Sequence, residues 1–104
     1  MSRCRRCAPV PEEIRRTADL LERRLAISIL YASRSGAVRF NEFLQALGPV
    51  PPGTLAARLS DLVEAGLLER RVVDARPPRA EYLLTRRGRE IASLVDALGR
   101  VARV

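Results

Sequence analysis

Apolar residues recur at helical spacing in the segment PGTLAARLSDLVEAGLL, which predicts a central helix of the chain. Leu55, Leu59 and Leu62 stand at positions i, i+4 and i+7, so they share one helix face. Pro52 suits a first helical turn, because an N–H group would have no partner there. Gly66 suits the left-handed position just after a helix end. The pattern therefore predicts a helix of about three turns with a leucine core face.

Two strand-like runs, at residues 68–73 and 80–85, follow this helix and are joined by a basic loop containing two prolines. The other predicted elements are a helix opening at Pro11, a helix at 25–33, a short strand at 37–40, a helix at 42–47 capped by Asn41, and a helix at 86–102 capped by Thr85. Two helices joined by a tight turn and followed by a basic hairpin are typical of a winged helix-turn-helix. The prediction is a mainly α fold with a small antiparallel β-hairpin (α+β), in which residues 1–10 form a mobile arm and residues 11–104 a single domain.

The charge of the chain favours an anionic partner. All 19 basic residues are arginine, against 12 acidic residues, which gives a net charge of +7. A guanidinium group binds phosphate through two parallel hydrogen bonds, so this composition points to nucleic acid. A generally basic protein with a bias toward arginine is the alternative interpretation.

The sequence offers little for catalysis, cofactor binding or membrane insertion. It has no histidine and no glycine-rich phosphate loop, so neither a nucleophile–base pair nor a metal site can be assembled. We therefore expect no enzyme activity and no cofactor. No apolar run is long enough to span a bilayer, and the first residues lack the apolar core of a signal peptide. Both cysteines lie in the first seven residues, which is unlike a secreted disulfide framework and indicates the cytoplasm.

The predicted recognition helix carries three candidate DNA contacts. Thr54 and Arg58 offer polar groups, and Ala57 can touch only a thymine methyl group. Arg58 is the best candidate for a guanine contact. The alternatives are that Arg58 is a solvated arginine or that it forms an ion pair with Asp61 or Glu64, about one turn or more further along the helix.

Several short motifs follow one another in a characteristic order along nearly the whole chain. They are Ile29-Leu30, Arg39-Phe40-Asn41-Glu42, Thr54-Leu55, Arg58-Leu59, Leu62-x-x-Ala65-Gly66-Leu67-x-Glu69-Arg70, Pro77-Pro78-Arg79-x-Glu81-Tyr82-x-Leu84-Thr85 and Gly88-Arg89-Glu90. This order resembles the HxlR family of small bacterial winged-helix regulators, relatives of MarR. The chain departs from the usual family pattern at Leu25, Val101, Pro51-Pro52-Gly53, Ala56 and Ala57.

The resemblance implies a sequence-specific DNA-binding transcriptional regulator, expected to be a repressor. With the charge, it implies that wing residues Arg71, Arg76 and Arg79 reach the DNA backbone or minor groove, although a charged tip could serve solubility alone. Arg39 and Asn41 are expected to add DNA backbone contacts. The implied partners are double-stranded DNA with a pseudo-palindromic operator and a second copy of the chain, joined through the N- and C-terminal helices. The apolar stripe of the last helix could instead complete the monomer core.

The segment Cys4-Arg5-Arg6-Cys7 is a candidate redox site. Adjacent arginines favour the reactive thiolate form of a cysteine. Some HxlR members sense quinones, aldehydes or disulfide stress through a cysteine at this place, which implies Cys7 as the sensor and Cys4 as its resolving partner. A small-molecule or oxidant effector is compatible with this hypothesis. The alternatives are a DNA binder indifferent to oxidation and a winged-helix module that binds proteins.

Overall fold

The computed structural model describes residues 7–103, which form five helices and one two-stranded antiparallel sheet. In chain order the elements are α1 (Glu12–Leu21), α2 (Ala26–Arg34), α3 (Phe40–Leu47), α4 (Pro52–Glu64), β1 (Leu68–Val73), β2 (Arg79–Leu84) and α5 (Arg86–Ala102). Most of the predicted N-terminal arm lies outside the described residues. The α3–turn–α4 unit followed by the hairpin is a winged helix-turn-helix, as the sequence predicted.

The core lies where α2, α3 and α4 meet the base of the hairpin. All three leucines of the predicted α4 face are fully buried, which confirms the helical stripe. The buried cluster comprises Ile29, Ala32, Phe43, Leu55, Leu59, Leu62, Leu67 and Leu68. Phe43 also meets Tyr82 of β2 edge to face, with ring centroids 6.4 Å apart. This packing fixes α4 and the hairpin in one rigid arrangement.

The two ends of the hairpin are tied together where α4 ends and α5 begins. Gly66 adopts a φ of 79°, the left-handed conformation predicted for it. The Thr85 N–H donates to the carbonyl of Leu67 at 3.1 Å. The Thr85 hydroxyl donates to the carbonyl of Gly66 at 2.5 Å and accepts from the N–H of Gly88 at 3.0 Å. Thr85 is thus the N-cap of α5, as predicted.

The segment before α3 differs from the prediction. Residues 37–40 do not form a strand; a single hydrogen bond joins the Tyr82 N–H to the Val38 carbonyl at 2.8 Å. Helix α3 begins at Phe40 with Arg39 as its N-cap, so the prediction that Asn41 caps it was wrong. The reason is the Glu42 carboxylate, which accepts hydrogen bonds from the N–H groups of Val38 and Arg39, both at 2.9 Å. These bonds hold the pKa of Glu42 below its ordinary value.

Helices α1, α2 and α5, together with the segment just before α1, expose several large apolar side chains. Ile27 and Tyr31 of α2 are exposed, whereas Ala26, Ile29, Leu30 and Ala32 of the same helix are buried. In α5, Val95 packs inward, whereas Leu94, Leu98 and Val101 are exposed. We call the following set the apolar face: Val10, Ile14, Ile27, Tyr31, Leu94, Leu98 and Val101. Exposed apolar surface of this extent is typical of an interaction site.

Candidate nucleic-acid interface

The outward surface of α4 is lined by small residues. Opposite its leucine stripe, the exposed positions are Gly53, Ala56, Ala57, Ser60 and Glu64. The first turn of any helix carries N–H groups without intrahelical acceptors, and these favour phosphate. The surface can therefore approach another molecule closely but presents few polar side chains. Ser60 is an outward-facing polar residue that the sequence analysis did not select, although its helical spacing from Ala57 could have indicated it.

The three predicted recognition-helix contacts occupy different environments. Ala57 is fully on the outward surface, and Thr54 is half-buried beside it. The Arg58 side chain is only 17% exposed. Its Nε donates to the Arg24 carbonyl at 2.8 Å, and its Nη1 donates to the Asp61 carboxylate at 2.6 Å. The structure thus shows the ion pair that the sequence left open as the alternative to a base contact.

A second arginine joins this ion pair. The Nη1 of Arg23 lies 2.9 Å from the same Asp61 oxygen that Arg58 contacts. Partial burial raises the pKa of Asp61, but the hydrogen bonds and charges of the two arginines outweigh it, so the pKa is lowered overall. We call Arg23, Asp61 and Arg58 the arginine clamp. The i, i+3 spacing of Arg58 and Asp61 was visible in the sequence, but the approach of Arg23 from another element was not.

The wing consists of β1, β2 and the loop at residues 74–78. Arg71 stands opposite Glu81 in the sheet register, and its Nη2 lies 3.6 Å from the Glu69 carboxylate, so this ion pair partly neutralises its charge. Arg76 is exposed in the loop, and Arg79 is exposed at the start of β2. Within residues 7–103, neither forms an ion pair with a carboxylate. Of the predicted wing contacts, these two arginines present the most available charge.

The remaining candidate residues lie at the start of α3 and ahead of α1. Arg39 and Asn41 are both exposed, so their side chains can reach a bound molecule. Cys7 is exposed in the segment that precedes α1, and its predicted partner Cys4 lies outside the described residues. Over the described part of the chain, no three His, Cys, Asp or Glu side chains converge as metal ligands. No helix there has the length and apolar character to cross a bilayer.

Comparison with protein families identifies the family of this winged-helix domain. The HxlR-like helix-turn-helix family matches residues 20–103, which include α2 to α5 and the whole wing. The chain belongs to the HxlR family. This confirms the resemblance that the ordered motifs indicated.

Relatives of this HxlR chain include named transcriptional regulators. It is 36% identical over 88 residues to the HTH-type transcriptional regulator sll1512 of Synechocystis sp., an overlap of 85% of this chain and 65% of the relative. The solved structure of the regulator ytfH from Salmonella typhimurium is 31% identical, with a TM-score of 0.75 and coverage of 86% and 80% of the two chains. The redox regulator HypR in its oxidized form is 26% identical, with a TM-score of 0.80 and coverage of 88% and 94%. The chain spans less than two-thirds of the length of several curated relatives that it matches.

Proposed function

We propose that this protein is a cytoplasmic, homodimeric, sequence-specific DNA-binding transcriptional regulator that acts as a repressor. The observation that carries the proposal is the HxlR match over α2 to α5, combined with an exposed outward surface on α4 and with Arg76 and Arg79, which form no ion pair within the described part of the chain. The HTH-type transcriptional regulators among its relatives support the same function.

The proposed docking places the N-terminal half of α4 in the major groove. Thr54 and Ala57 would contact base edges, with part of the sequence preference coming from DNA shape, since α4 offers few polar groups. Arg76 and Arg79 would contact the backbone or minor groove, with Arg71 beside them. Arg39 and Asn41 would contact phosphates at the start of α3. All of these side chains are at least partly exposed in the structure.

The proposed homodimer forms through the apolar face. The groove between α2 and α5, of about 370 Å³, is lined by Leu21, Ile27, Ile91, Leu94, Val95, Ala97, Leu98 and Val101. Helix α1, which has no buried residue, lies next to this aliphatic groove. The apolar surface of both would be buried if a second copy packed against them. A twofold dimer would place two α4 helices about 34–36 Å apart and would bind a pseudo-palindromic operator.

The proposal also includes a response to oxidants through Cys7, with Cys4 as the resolving thiol. Its support is the exposed position of Cys7 beside α1 and the likeness to the redox regulator HypR. An oxidant such as diamide would accept two electrons and two protons from the two thiols as they form a disulfide. Because Cys7 precedes a helix of the proposed dimer surface, the disulfide would change the dimer and with it the operator affinity.

Fluorescence anisotropy tests the DNA-binding proposal. The reduced protein is titrated into the labelled duplex from upstream of its own gene and into a scrambled duplex of equal length, at about 50 mM and about 200 mM salt. We expect tight, salt-sensitive binding that prefers the native duplex. Equal binding to both duplexes would contradict specificity for this site. No binding even at low salt would refute the DNA proposal and favour the protein-interaction module.

A separate comparison of the wild-type protein with a cysteine variant tests the proposed response to oxidants. We expect diamide to change the operator affinity of the wild-type protein and to leave that of Cys7→Ser unchanged. The same response in both proteins would identify a regulator that does not use this thiol. Reporter expression under the operator, with and without the protein, separates a repressor from an activator.

A further inference from the structure

The arginine clamp joins two segments that are far apart in sequence. Asp61 and Arg58 belong to α4, whereas Arg23 and the Arg24 carbonyl belong to the turn between α1 and α2. Two polar contacts, of 2.8 and 2.9 Å, therefore connect this turn to the flank of α4, and the third, the Arg58–Asp61 bond of 2.6 Å, lies within α4. The sharing of one Asp61 oxygen by both arginines makes the contacts mutually dependent.

Besides the clamp, the turn is held by backbone hydrogen bonds from the Arg23 N–H to the Leu20 carbonyl and from the Ala26 N–H to the Arg23 carbonyl, and by Leu25, which packs against the core. Helix α1 has no buried residue, so its apolar packing against the domain is weak. Leu25, at the end of the turn, adopts a φ of 74°, a left-handed conformation that is costly for a bulky side chain and persists only where surrounding contacts enforce it. The Arg58 bond to the neighbouring Arg24 carbonyl is one such contact.

We propose that the arginine clamp positions the recognition helix: Arg58 and Asp61 are positioning residues that set α4 against the α1–α2 turn, and Arg58 is not a base reader. The proposal rests on the proposed DNA-binding function and states how that site is held. An Arg58 side chain that is 17% exposed and bonded at two of its nitrogens has no free fork to offer a guanine. Specificity then depends on the orientation of the small-residue surface of α4, which the clamp controls.

The Asp61→Asn variant separates positioning from base reading. If Arg58 read a base, removing the charge of Asp61 would release the guanidinium and raise or preserve operator affinity. If the clamp positions α4, the same variant loosens the helix, and the ratio of operator to scrambled-duplex affinity falls, by roughly tenfold. The added positive charge would meanwhile maintain binding to the scrambled duplex.

The experiment is a double-mutant cycle with Arg58→Ala, Asp61→Asn and the double variant, measured by anisotropy on both duplexes. We expect each single variant to lose specificity and the double variant to lose no more than either, because all three disrupt one unit. The slope of log affinity against log salt should stay at the wild-type value for Arg58→Ala, whereas loss of a phosphate contact would lower it by about 1; the Asp61→Asn variant, not this slope, separates positioning from base reading. A rise in operator affinity for Asp61→Asn, or additive losses, would overturn the proposal.

A DNA-free measurement keeps the proposal testable if the wild-type protein fails to bind DNA. Amide hydrogen exchange should accelerate at residues 22–26 and at residues 58–62 of α4, where the clamp lies, in Asp61→Asn and in Arg23→Ala. The matched control is Arg16→Ala, which removes an α1 arginine whose ion pair with Glu12 stays within its own helix. Unchanged exchange in the clamp variants would overturn the positioning role, whereas absent DNA binding with accelerated exchange would refute only the proposed function.

Discussion

Replacing Gly88 with alanine tests the tightest backbone approach that any glycine of the chain makes. Gly88 is buried in the first turn of α5, where a Cβ atom would lie 2.0 Å from the Leu67 carbonyl oxygen and 3.0 Å from a Leu84 methyl carbon. The carbonyl cannot rotate away cheaply, because it already accepts the N–H of Thr85 at 3.1 Å. The Gly88→Ala variant must therefore move α5 away from the α4–β1 turn.

The expected cost follows from three contributions. Forcing a methyl group into a filled space costs about 1–3 kcal/mol. Stretching the Thr85–Leu67 hydrogen bond costs about 1 kcal/mol more. Alanine recovers about 1 kcal/mol relative to glycine inside a helix. The net expectation for Gly88→Ala is a loss of about 1–3 kcal/mol in the free energy of unfolding, because the first two terms outweigh the third.

Thermal unfolding followed by circular dichroism measures this difference, at one fixed protein concentration because a dimer melts in a concentration-dependent way. A loss of 1 kcal/mol corresponds to a Tm lower by roughly 4–8 °C for a domain of this size. The control is Gly99→Ala in the same helix, where the nearest atoms to a Cβ belong to the flexible Arg103 side chain, at 3.6 Å or more. We expect Gly99→Ala to stabilise by about 0.5–1 kcal/mol. Equal gains in both variants would refute the close approach at Gly88.

Three further outcomes follow from individual contacts. Thr85→Val removes the α5 cap and should lower the free energy of unfolding in urea by about 1–2 kcal/mol, whereas Thr85→Ser should retain most of it. The pKa values of Asp61 and Glu42 lie below their ordinary values in the folded state, so their stabilisation is complete above the unfolded pKa and is lost as the pH falls through the folded pKa. In urea melts, the free energy of unfolding should therefore fall less between neutral and acidic pH in the Asp61→Asn, Glu42→Gln double variant than in the wild type. Arg79→Ala should weaken binding to every duplex alike and lower the salt slope by about 1, and Arg16→Ala should do neither.

Local patterns predicted most of the fold. The leucine stripe of α4, the left-handed Gly66 and the Thr85 cap each depend on residues a few positions apart, and each was confirmed. The segment before α3 was misassigned because residues 37–40 have the alternation of a strand, while the Glu42 carboxylate, acting backwards on Val38 and Arg39, sets the helix start instead.

The candidate site was less predictable than the fold. Helical spacing identified Ala57 as outward-facing and left two environments open for Arg58, but it could not reveal that Arg23 completes an ion cluster around Asp61. That contact depends on how the α1–α2 turn folds back, with Leu25 in a left-handed conformation for which the sequence gives no signal. The roles of the wing arginines and of Cys7 stay predictions.

The hydrogen bonds between Thr85 and the α4–β1 turn close the hairpin at its base. The tip of the wing is therefore structurally independent of the rest of the domain. Since the strands are closed at their base, the loop at residues 74–78 can change length without shifting α5, and each doubling of its length costs only about 0.6 kcal/mol in closure entropy. This loop can therefore be replaced by another loop without a change in the rest of the fold. Substitutions or insertions in this loop would change the surface at the tip of the wing and leave the apolar face and the core as they are.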